Sequence, residues 1–316
     1  MGSIQSRCVV VSLAGLMAGS MLFAAEDQVA AASGEVTEDA ALKHARELIA
    51  HGQFEEARKA FEEMVHADQQ ARGAQDAKTL SDRVELALAC GKAGDYIKAE
   101  SDLRDLLAIY NRRLGPDHKE TLRCRTALAR LLYDASRPTE AGEEYRRVLD
   151  SEVRVLGTDN IEVARTRHGL GDALGMTGKY GEAIEQFRQA QDVFDRVLGE
   201  ENFETLLNRS NLALVQAENR EFDAAEKGLK AILTIRERLN GPNDLSVLMT
   251  CFQLGRVLGG AKRFDEAMTF ANRAEAGLRS ALKPDDSKVI EAEGLCNQIR
   301  TDMAPAAKVP PPVVLK

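Results

Sequence analysis

Arginine recurs at one position of a long repeat, and this regular spacing could place several guanidinium groups in a row that binds anions. It stands at intervals of 42 residues, at Arg83, Arg125, Arg167 and Arg209. A row of guanidinium groups can bind carboxylates through paired hydrogen bonds. In one interpretation each arginine pairs with a nearby carboxylate of its own chain, for example Glu120, Glu162 or Glu204 five residues before it. In the other, the row binds acidic groups of a partner; we favour the first.

The histidine and cysteine side chains do not form a recognisable catalytic or metal-binding set. The five histidines are scattered, at His44, His51, His66, His118 and His168. Beyond residue 25 the cysteines are Cys90, Cys124, Cys251 and Cys296, with no CxxC pair and no histidine at metal-ligand spacing. We expect these cysteines to be buried among helices, with one disulfide as the alternative in an oxidising compartment. The sequence therefore predicts no catalytic residues, no metal and no cofactor.

The composition favours helices and disfavours nucleic acid as a partner. Ala, Leu, Glu and Arg recur throughout the chain, and these residues lose least on entering a helix. The net charge is -8, whereas neutralising phosphates needs an excess of Lys and Arg. We expect an all-α protein that binds no nucleic acid.

The N-terminal segment has the layout of a secretory signal peptide. Residues 1–25 contain one charged side chain, Arg7, followed by an apolar stretch from Cys8 to Ala24. That stretch is short for a bilayer span and contains two glycines. We therefore predict that the segment is cleaved, that residues 26–37 form a linker, and that the protein is periplasmic or secreted. The alternative is that the segment is retained as an inner-membrane anchor, the one case in which we expect membrane contact.

A period of 42 residues runs through most of the chain. The loop Leu-Gly-Pro-Asp-His at 114–118 returns in related form at 156–160, 198–202, 240–244 and 282–286. A small residue shares the period at Ala57, Ala99, Ala141, Ala183, Ala225 and Ala267, and three residues before it stand Phe54, Tyr96, Pro138, Tyr180, Phe222 and Phe264. Small residues let two helices approach closely, and an aromatic ring covers the turn between them. Each unit is thus predicted to be a helical hairpin, which must stack on its neighbours to bury its apolar face.

The period also sets the predicted organisation of the chain. The repeat domain is expected to span residues 38–303. Its hairpins are predicted near 38–70, 71–113, 114–155, 156–197, 198–239 and 240–281, with a capping helix at 282–303. Residues 304–316, which contain three consecutive prolines, are predicted to be a disordered tail.

These columns resemble the tetratricopeptide repeat, in the 42-residue form of the kinesin light chains. The resemblance is carried by Thr-Leu-Arg-Cys-Arg-Thr-Ala-Leu-Ala at 121–129, by Thr-Leu-Leu-Asn-Arg-Ser-Asn-Leu-Ala at 205–213 and by the loop at 114–118. It covers about residues 38–303, with Pro138 in place of the usual turn aromatic. It implies an all-α, right-handed superhelical solenoid of about six stacked hairpins with a C-terminal capping helix.

The resemblance further implies which residues would face a partner. In this family the inner, concave wall is formed mainly by the first helix of each hairpin. Carried over to this sequence, the partner-binding positions are Arg123, Arg130, Tyr133, Arg165, His168, Asp172, Met176, Ser210, Leu214, Phe252 and Arg256. Arg gives directional pairing and Met or Phe gives adaptable contact area, so we expect an extended or helical peptide with acidic and apolar groups. The alternative is that these positions are merely solvated and that the partner uses the convex side or the tail.

The functional prediction is an exported, non-enzymatic scaffold that binds a protein or peptide partner on its concave face. The alternative is a membrane-anchored accessory or regulatory subunit of an envelope enzyme or secretion complex. A hydrolase is disfavoured because no polar groups converge. The sequence does not identify the partner or the oligomeric state.

Overall fold

The protein is described here by a computed structural model over residues 40–304, which form thirteen α-helices and no strand. In chain order the helices are α1 (Ala40–Ala50), α2 (Phe54–Arg72), α3 (Ala77–Lys92), α4 (Tyr96–Leu114), α5 (Lys119–Asp134), α6 (Pro138–Leu156), α7 (Ile161–Met176), α8 (Tyr180–Val197), α9 (Phe203–Glu218), α10 (Phe222–Asn240), α11 (Leu245–Gly260), α12 (Phe264–Ala281) and α13 (Ser287–Met303). The all-α prediction is confirmed. The predicted signal peptide, the linker and the tail beyond Ala304 lie outside the described residues. Between residues 40 and 304, no helix is long and apolar enough to cross a membrane.

The helices fall into two compact units, which divide between Val215 and Gln216. In unit 1, consecutive helices pack against each other from α1 and α2 through to α7 and α8. In addition, α3 contacts α5, and α5 contacts α7. In unit 2, α10 to α13 pack in the same sequential way, and α11 contacts α13. Each unit is therefore a stack of helical hairpins in which successive first helices lie side by side. This confirms the predicted hairpin stacking, and α13 is the predicted closing helix.

Every second helix of a hairpin begins three residues before the small column of the repeat. The helices α2, α4, α6, α8, α10 and α12 start at Phe54, Tyr96, Pro138, Tyr180, Phe222 and Phe264. Pro138 suits this place because the first helical residue needs no backbone donor and its fixed φ already matches the helix. The small column Ala57, Ala99, Ala141, Ala183, Ala225 and Ala267 has no exposed surface at any position. A methyl group at each of these sites leaves room for the neighbouring helix.

The loops between hairpins have two recurrent features, a glycine that ends the preceding helix and a side chain that caps the following one. Gly115, which ends α4, has φ 89° and ψ 166°, a region that only glycine adopts without strain. The first helix that follows is capped by a side chain that accepts a hydrogen bond from the backbone N–H two residues on, at Asp76, His118, Asn160, Asn202, Asp244 and Asp286. Such a cap stabilises a helix by about 1 kcal/mol. His118 is therefore a capping residue and not part of a reactive set.

The four cysteines of the described region are part of the helical packing. Cys90, Cys124, Cys251 and Cys296 are free and buried, as expected, and the disulfide alternative is not formed. Burial raises the pKa of the Cys124 thiol to about 12, which keeps it protonated and unreactive.

Candidate functional site

A groove in unit 1 is the candidate site. It has a cavity volume of about 460 Å³ and is lined mainly by the first helices α3, α5, α7 and α9. The helix α6 adds Tyr145, Glu152, Val155 and Leu156, and α8 adds Phe194. Because successive first helices lie side by side, equivalent positions of the repeat line the groove in rows. We call it the unit 1 groove.

Six of the eleven predicted partner-binding residues are brought together here. The residues that line the unit 1 groove are Arg123, Arg130, Tyr133, Arg165, His168 and Asp172. Three others in unit 1 do not line it: Ser210 and Leu214 are buried, and Met176 is half-buried at the end of α7. Phe252 and Arg256 belong to unit 2, where Phe252 is buried and burial lowers the pKa of Arg256. The predicted columns therefore locate the groove, whereas contact with a partner stays a prediction.

Two of the groove arginines are held by carboxylates of neighbouring hairpins. Arg123 Nη2 donates to Glu85 Oε1 of α3 at 2.8 Å. Arg165 donates through Nε and Nη2 to the two carboxylate oxygens of Glu204 in α9, at 2.9 Å each, and through Nη1 to Glu162 at 2.6 Å. Paired hydrogen bonds of this kind are among the strongest that a guanidinium makes. They remove the reason to expect an acidic partner at these two arginines.

Three of the four arginines in the sequence column bind side chains of their own chain, but these partners differ from those expected. Arg125 donates to Glu144 of α6 at 2.9 Å, Arg167 to Gln186 of α8 at 3.2 Å, and Arg209 to Asp195 of α8 at 2.7 Å. The expected partners stood five residues earlier, and residues five apart lie on different faces of a helix. The arginines instead reach across to a second helix. Carboxylates such as Glu162 turn to the groove and pair with Arg165.

A buried polar network forms part of the groove wall between α7 and α9. Asn208 Nδ2 donates to Phe187 O at 2.9 Å and to Gln191 Oε1 at 2.8 Å. With both amide hydrogens used, its Oδ1 accepts from His168 Nδ1 at 3.0 Å, and His168 Nε2 faces Asp172 Oδ2 at 3.4 Å. Burial raises the pKa of Asp172, although His168 opposes the rise. The network fixes the His168 ring in the groove wall.

One buried carboxylate of the groove has no cationic partner. Glu152 of α6 is 7% exposed, its Oε2 accepts no hydrogen bond, and it takes part in no ion pair among residues 40–304. Burial raises the pKa of Glu152 to about 7, although a hydrogen bond with Thr166 opposes the rise and the Glu162 carboxylate adds to it. Glu152 is not among the residues that the sequence predicts to bind a partner. The available signal was its column, because the equivalent positions one repeat before and after hold the aromatic residues Tyr110 and Phe194.

The charge of the lining is negative. Eight carboxylates line the unit 1 groove, against four lysine and arginine side chains, so anionic groups are in excess. In the described part of the chain, His, Cys, Asp and Glu do not gather in threes as metal ligands would. The groove can therefore offer charge and apolar surface to a ligand.

Comparison with known protein families agrees with the repeat pattern. A family model described as tetratricopeptide repeat matches residues 75–151, 130–196 and 203–280, which together make up more than half of the chain. A sequence search of the curated proteins finds no significant match.

Solved structures with a similar fold include repeat proteins of the kinesin light chain type. BtubC (BKLC) from P. vanneervenii has a TM-score of 0.62 and 24% identity, covering 72% of this chain and 91% of that chain. A protein of Podosopora anserina with nearly identical TPR-like repeats of the kinesin light chain type has a TM-score of 0.59 and 22% identity, covering 65% and 97%. A Rap protein complexed with Competence and Sporulation Factor has a TM-score of 0.55 and 12% identity, covering 82% and 73%. At these identities the likeness shows the fold alone.

Proposed function

Because this chain belongs to the tetratricopeptide repeat family, we propose that it is a scaffold that binds a partner protein or peptide in the unit 1 groove without catalysing a reaction. The unit 1 groove itself carries the proposal, since equivalent positions of α3, α5, α7 and α9 build a continuous wall there. Its volume of about 460 Å³ accommodates several side chains of a peptide. We therefore expect a segment of the partner, and not its whole surface, to enter the groove.

The walls of the groove support binding because they are held in place before a ligand arrives. The pairs Arg123–Glu85 and Arg165–Glu204 and the hydrogen bond from His168 to Asn208 each join the first helices of two successive hairpins. Side chains that are already ordered lose little conformational entropy on binding. The Rap protein of similar fold is complexed with Competence and Sporulation Factor, so a fold of this class holds a second molecule in that protein.

Export is the second part of the proposal. The support is the layout of residues 1–25, with Arg7 ahead of an apolar stretch, which is typical of a signal peptide. We propose that the mature protein acts in the periplasm or outside the cell. Mass spectrometry of the native N-terminus tests this point, and a start near Ala25 or Glu26 is expected. Retention of Met1 would instead favour the alternative, an anchored accessory subunit of an envelope enzyme or secretion complex.

Groove binding is tested by filling the groove with a large side chain. Thr126 of α5 lines the groove and is half-buried, so Thr126→Trp should block a ligand. Thr139, near the start of α6, is exposed and outside the lining, and Thr139→Trp is the matched control. In affinity capture from an envelope extract, a partner should be retained by the wild type and by Thr139→Trp and lost with Thr126→Trp. A partner retained by all three proteins would place the binding surface elsewhere.

The variant Thr126→Trp also tests the proposed absence of catalysis. Any enzymatic turnover by the purified protein that Thr126→Trp abolishes, while thermal unfolding is unchanged, would replace the scaffold proposal with an enzymatic one.

A further inference from the structure

Glu152 stands in the groove wall at a position where the two adjacent repeats place an aromatic ring. The equivalent residues Tyr110 and Phe194 are buried, as Glu152 is. A buried carboxylate is destabilising unless a donor or a cation reaches it. In the part of the chain that the structure describes, one oxygen of Glu152 has no donor, and the side chain lines the groove. Packing alone therefore does not account for a glutamate here.

The charge around Glu152 indicates the kind of ligand group that would pair with its carboxylate. The lining carries an excess of carboxylates, and the ion pairs of Arg123 and Arg165 are made with other acidic side chains of the wall. No cationic side chain of the described chain pairs with Glu152. A positively charged group entering the groove is thus attracted, and a negatively charged one is repelled.

Two exposed apolar residues lie next to Glu152. Val155 and Leu156 follow it by three and four positions in α6, which places all three on one face of the helix. They are 55% and 44% exposed and line the groove. Lys and Arg combine an apolar stem with a charged tip, so one long basic side chain can contact both the apolar residues and the carboxylate.

We propose that the unit 1 groove binds an extended peptide segment in which a Lys or Arg side chain pairs with Glu152 and an adjacent apolar residue contacts Val155 and Leu156. The inference rests on the proposed function and gives the chemistry of the partner at the same groove. It reverses the acidic partner that the arginines of the sequence lead one to expect.

The first test is selection of peptides from a random twelve-residue display library on the full-length protein. Peptides enriched on the wild type should share a Lys or Arg at one position. Glu152→Gln keeps the shape of the side chain and removes its charge, and it should abolish that shared basic position. Glu143→Gln changes an exposed glutamate of the same helix and should leave the selected sequences unchanged.

The second test measures one selected peptide in solution. Replacing its basic residue with Gln should weaken binding to the wild type on the order of 30-fold, as loss of one partner of a buried charge pair does. The same replacement should have little effect on binding to Glu152→Gln. Because Glu152 titrates near neutral pH, pairing with a cation should also release protons at pH 7. Calorimetry in buffers of different ionisation enthalpy should detect this release for the wild type and not for Glu152→Gln.

The outcomes separate the inference from the proposed function. Selected peptides that Thr126→Trp no longer binds, but that lack a basic residue or are insensitive to Glu152→Gln, overturn the inference and leave groove binding intact. Peptides that bind Thr126→Trp as well as the wild type overturn groove binding and the inference together. The absence of any enriched peptide on a folded wild-type protein counts against both.

Discussion

Units 1 and 2 place opposite charges at the same position of their second helices. Glu152 in α6 and Arg236 in α10 are equivalent residues two repeats apart, and each meets a threonine of the following first helix. Arg236 Nη1 donates to Thr250 Oγ1 at 2.8 Å and to Ser246 O at 3.3 Å, whereas one oxygen of Glu152 has no donor among residues 40–304. Burial lowers the pKa of Arg236 to about 10 and raises that of Glu152 to about 7. The repeat fixes where these side chains lie, and their chemistry decides whether they are satisfied from within the chain.

The other repeats show that neither charge is required by the packing. The equivalent positions hold Tyr110, Phe194 and Leu278, all of them buried, and in the first hairpin the half-buried Asp68, which pairs with Lys78. In unit 2 the charged residue is bonded to a hydroxyl and a carbonyl, as a structural arginine would be. In unit 1 the charged residue faces a groove. The comparison therefore separates a structural charge from one that is available to a ligand.

Reversing the charge at these two positions should give the largest and most unequal effects. Arg236→Glu would place a carboxylate beside Ser246 O and near Asp244, and should lower the free energy of unfolding by about 3–5 kcal/mol. Glu152→Arg would place a guanidinium near the Thr166 hydroxyl and the Glu162 carboxylate, and should cost far less. Urea denaturation followed by circular dichroism measures both. Equal losses would show that the two positions are not electrostatically distinct.

The pH dependence of stability should depend on Glu152. Its pKa is about 7 in the folded protein against 4.5 for an ordinary glutamate, so the folded state binds the proton more tightly. Stability should then fall as the pH rises from 4.5 to 7, by up to about 3 kcal/mol relative to Glu152→Gln. The charged or titratable side chains that line the groove from the two helices packed against α6 are Lys119, Glu120, Arg123, Arg130, Tyr133 and Asp134 of α5 and Glu162, Arg165, His168 and Asp172 of α7. Of these, Glu162 contributes to the shift.

The measurement is urea denaturation of wild type, Glu152→Gln and Glu143→Gln across this pH range. The Glu143→Gln protein should follow the wild type, because Glu143 is exposed. A constant difference between wild type and Glu152→Gln at every pH would contradict the assignment of an ionisable, buried Glu152.

Where the two units share the same packing, they should respond equally. Ala183 in unit 1 and Ala225 in unit 2 belong to the fully buried small column. Leucine at either position forces the paired helices apart, and each change should cost about 1–3 kcal/mol. Ala224 precedes Ala225 and is exposed, so Ala224→Leu is the control and should change thermal stability little. Unchanged stability in Ala183→Leu would mean that the repeat register is wrong.

The backbone of this fold was more predictable from the sequence than its side-chain contacts. Helix starts such as Phe54 and Phe264 and the buried alanines follow a fixed period, since each hairpin must solve the same packing problem. The hydrogen-bond partners of the charged side chains do not follow the period. Arg209 could reach several carboxylates, and the distances between helices decide that it binds Asp195. The free oxygen of Glu152 likewise depends on what neighbouring helices fail to supply.

The predicted partner-binding residues share a groove only in part, for the same reason. Arg123, Arg165 and the neighbouring columns of the first helices do line a groove. Met176 does not, because the residue equivalent to Tyr133 is Gly175, one position earlier in α7. Ser210 is buried in α9, as His168 is at the equivalent position of α7, whereas Thr126 of α5 is only half-buried. A repeat position predicts on which face of its helix a residue lies. The burial of that position still differs from one repeat to the next, because the side chains around it differ.

The smallest expected effect concerns the turn inside each hairpin, where both units share one backbone geometry. Ser136 in unit 1 and Lys262 in unit 2 have φ values of 59° and 63°, and Gly94 has a positive φ at the equivalent position. The left-handed region is unfavourable for residues with a Cβ atom, and glycine's greater freedom in the unfolded chain offsets part of the gain. Ser136→Gly and Lys262→Gly should therefore each raise the free energy of unfolding by about 0.5–1 kcal/mol. Gly94→Ser should lower it by a similar amount, and differential scanning calorimetry of the three variants measures these shifts. A gain in one unit and a loss in the other would mean that the two turns are not governed by the same local strain.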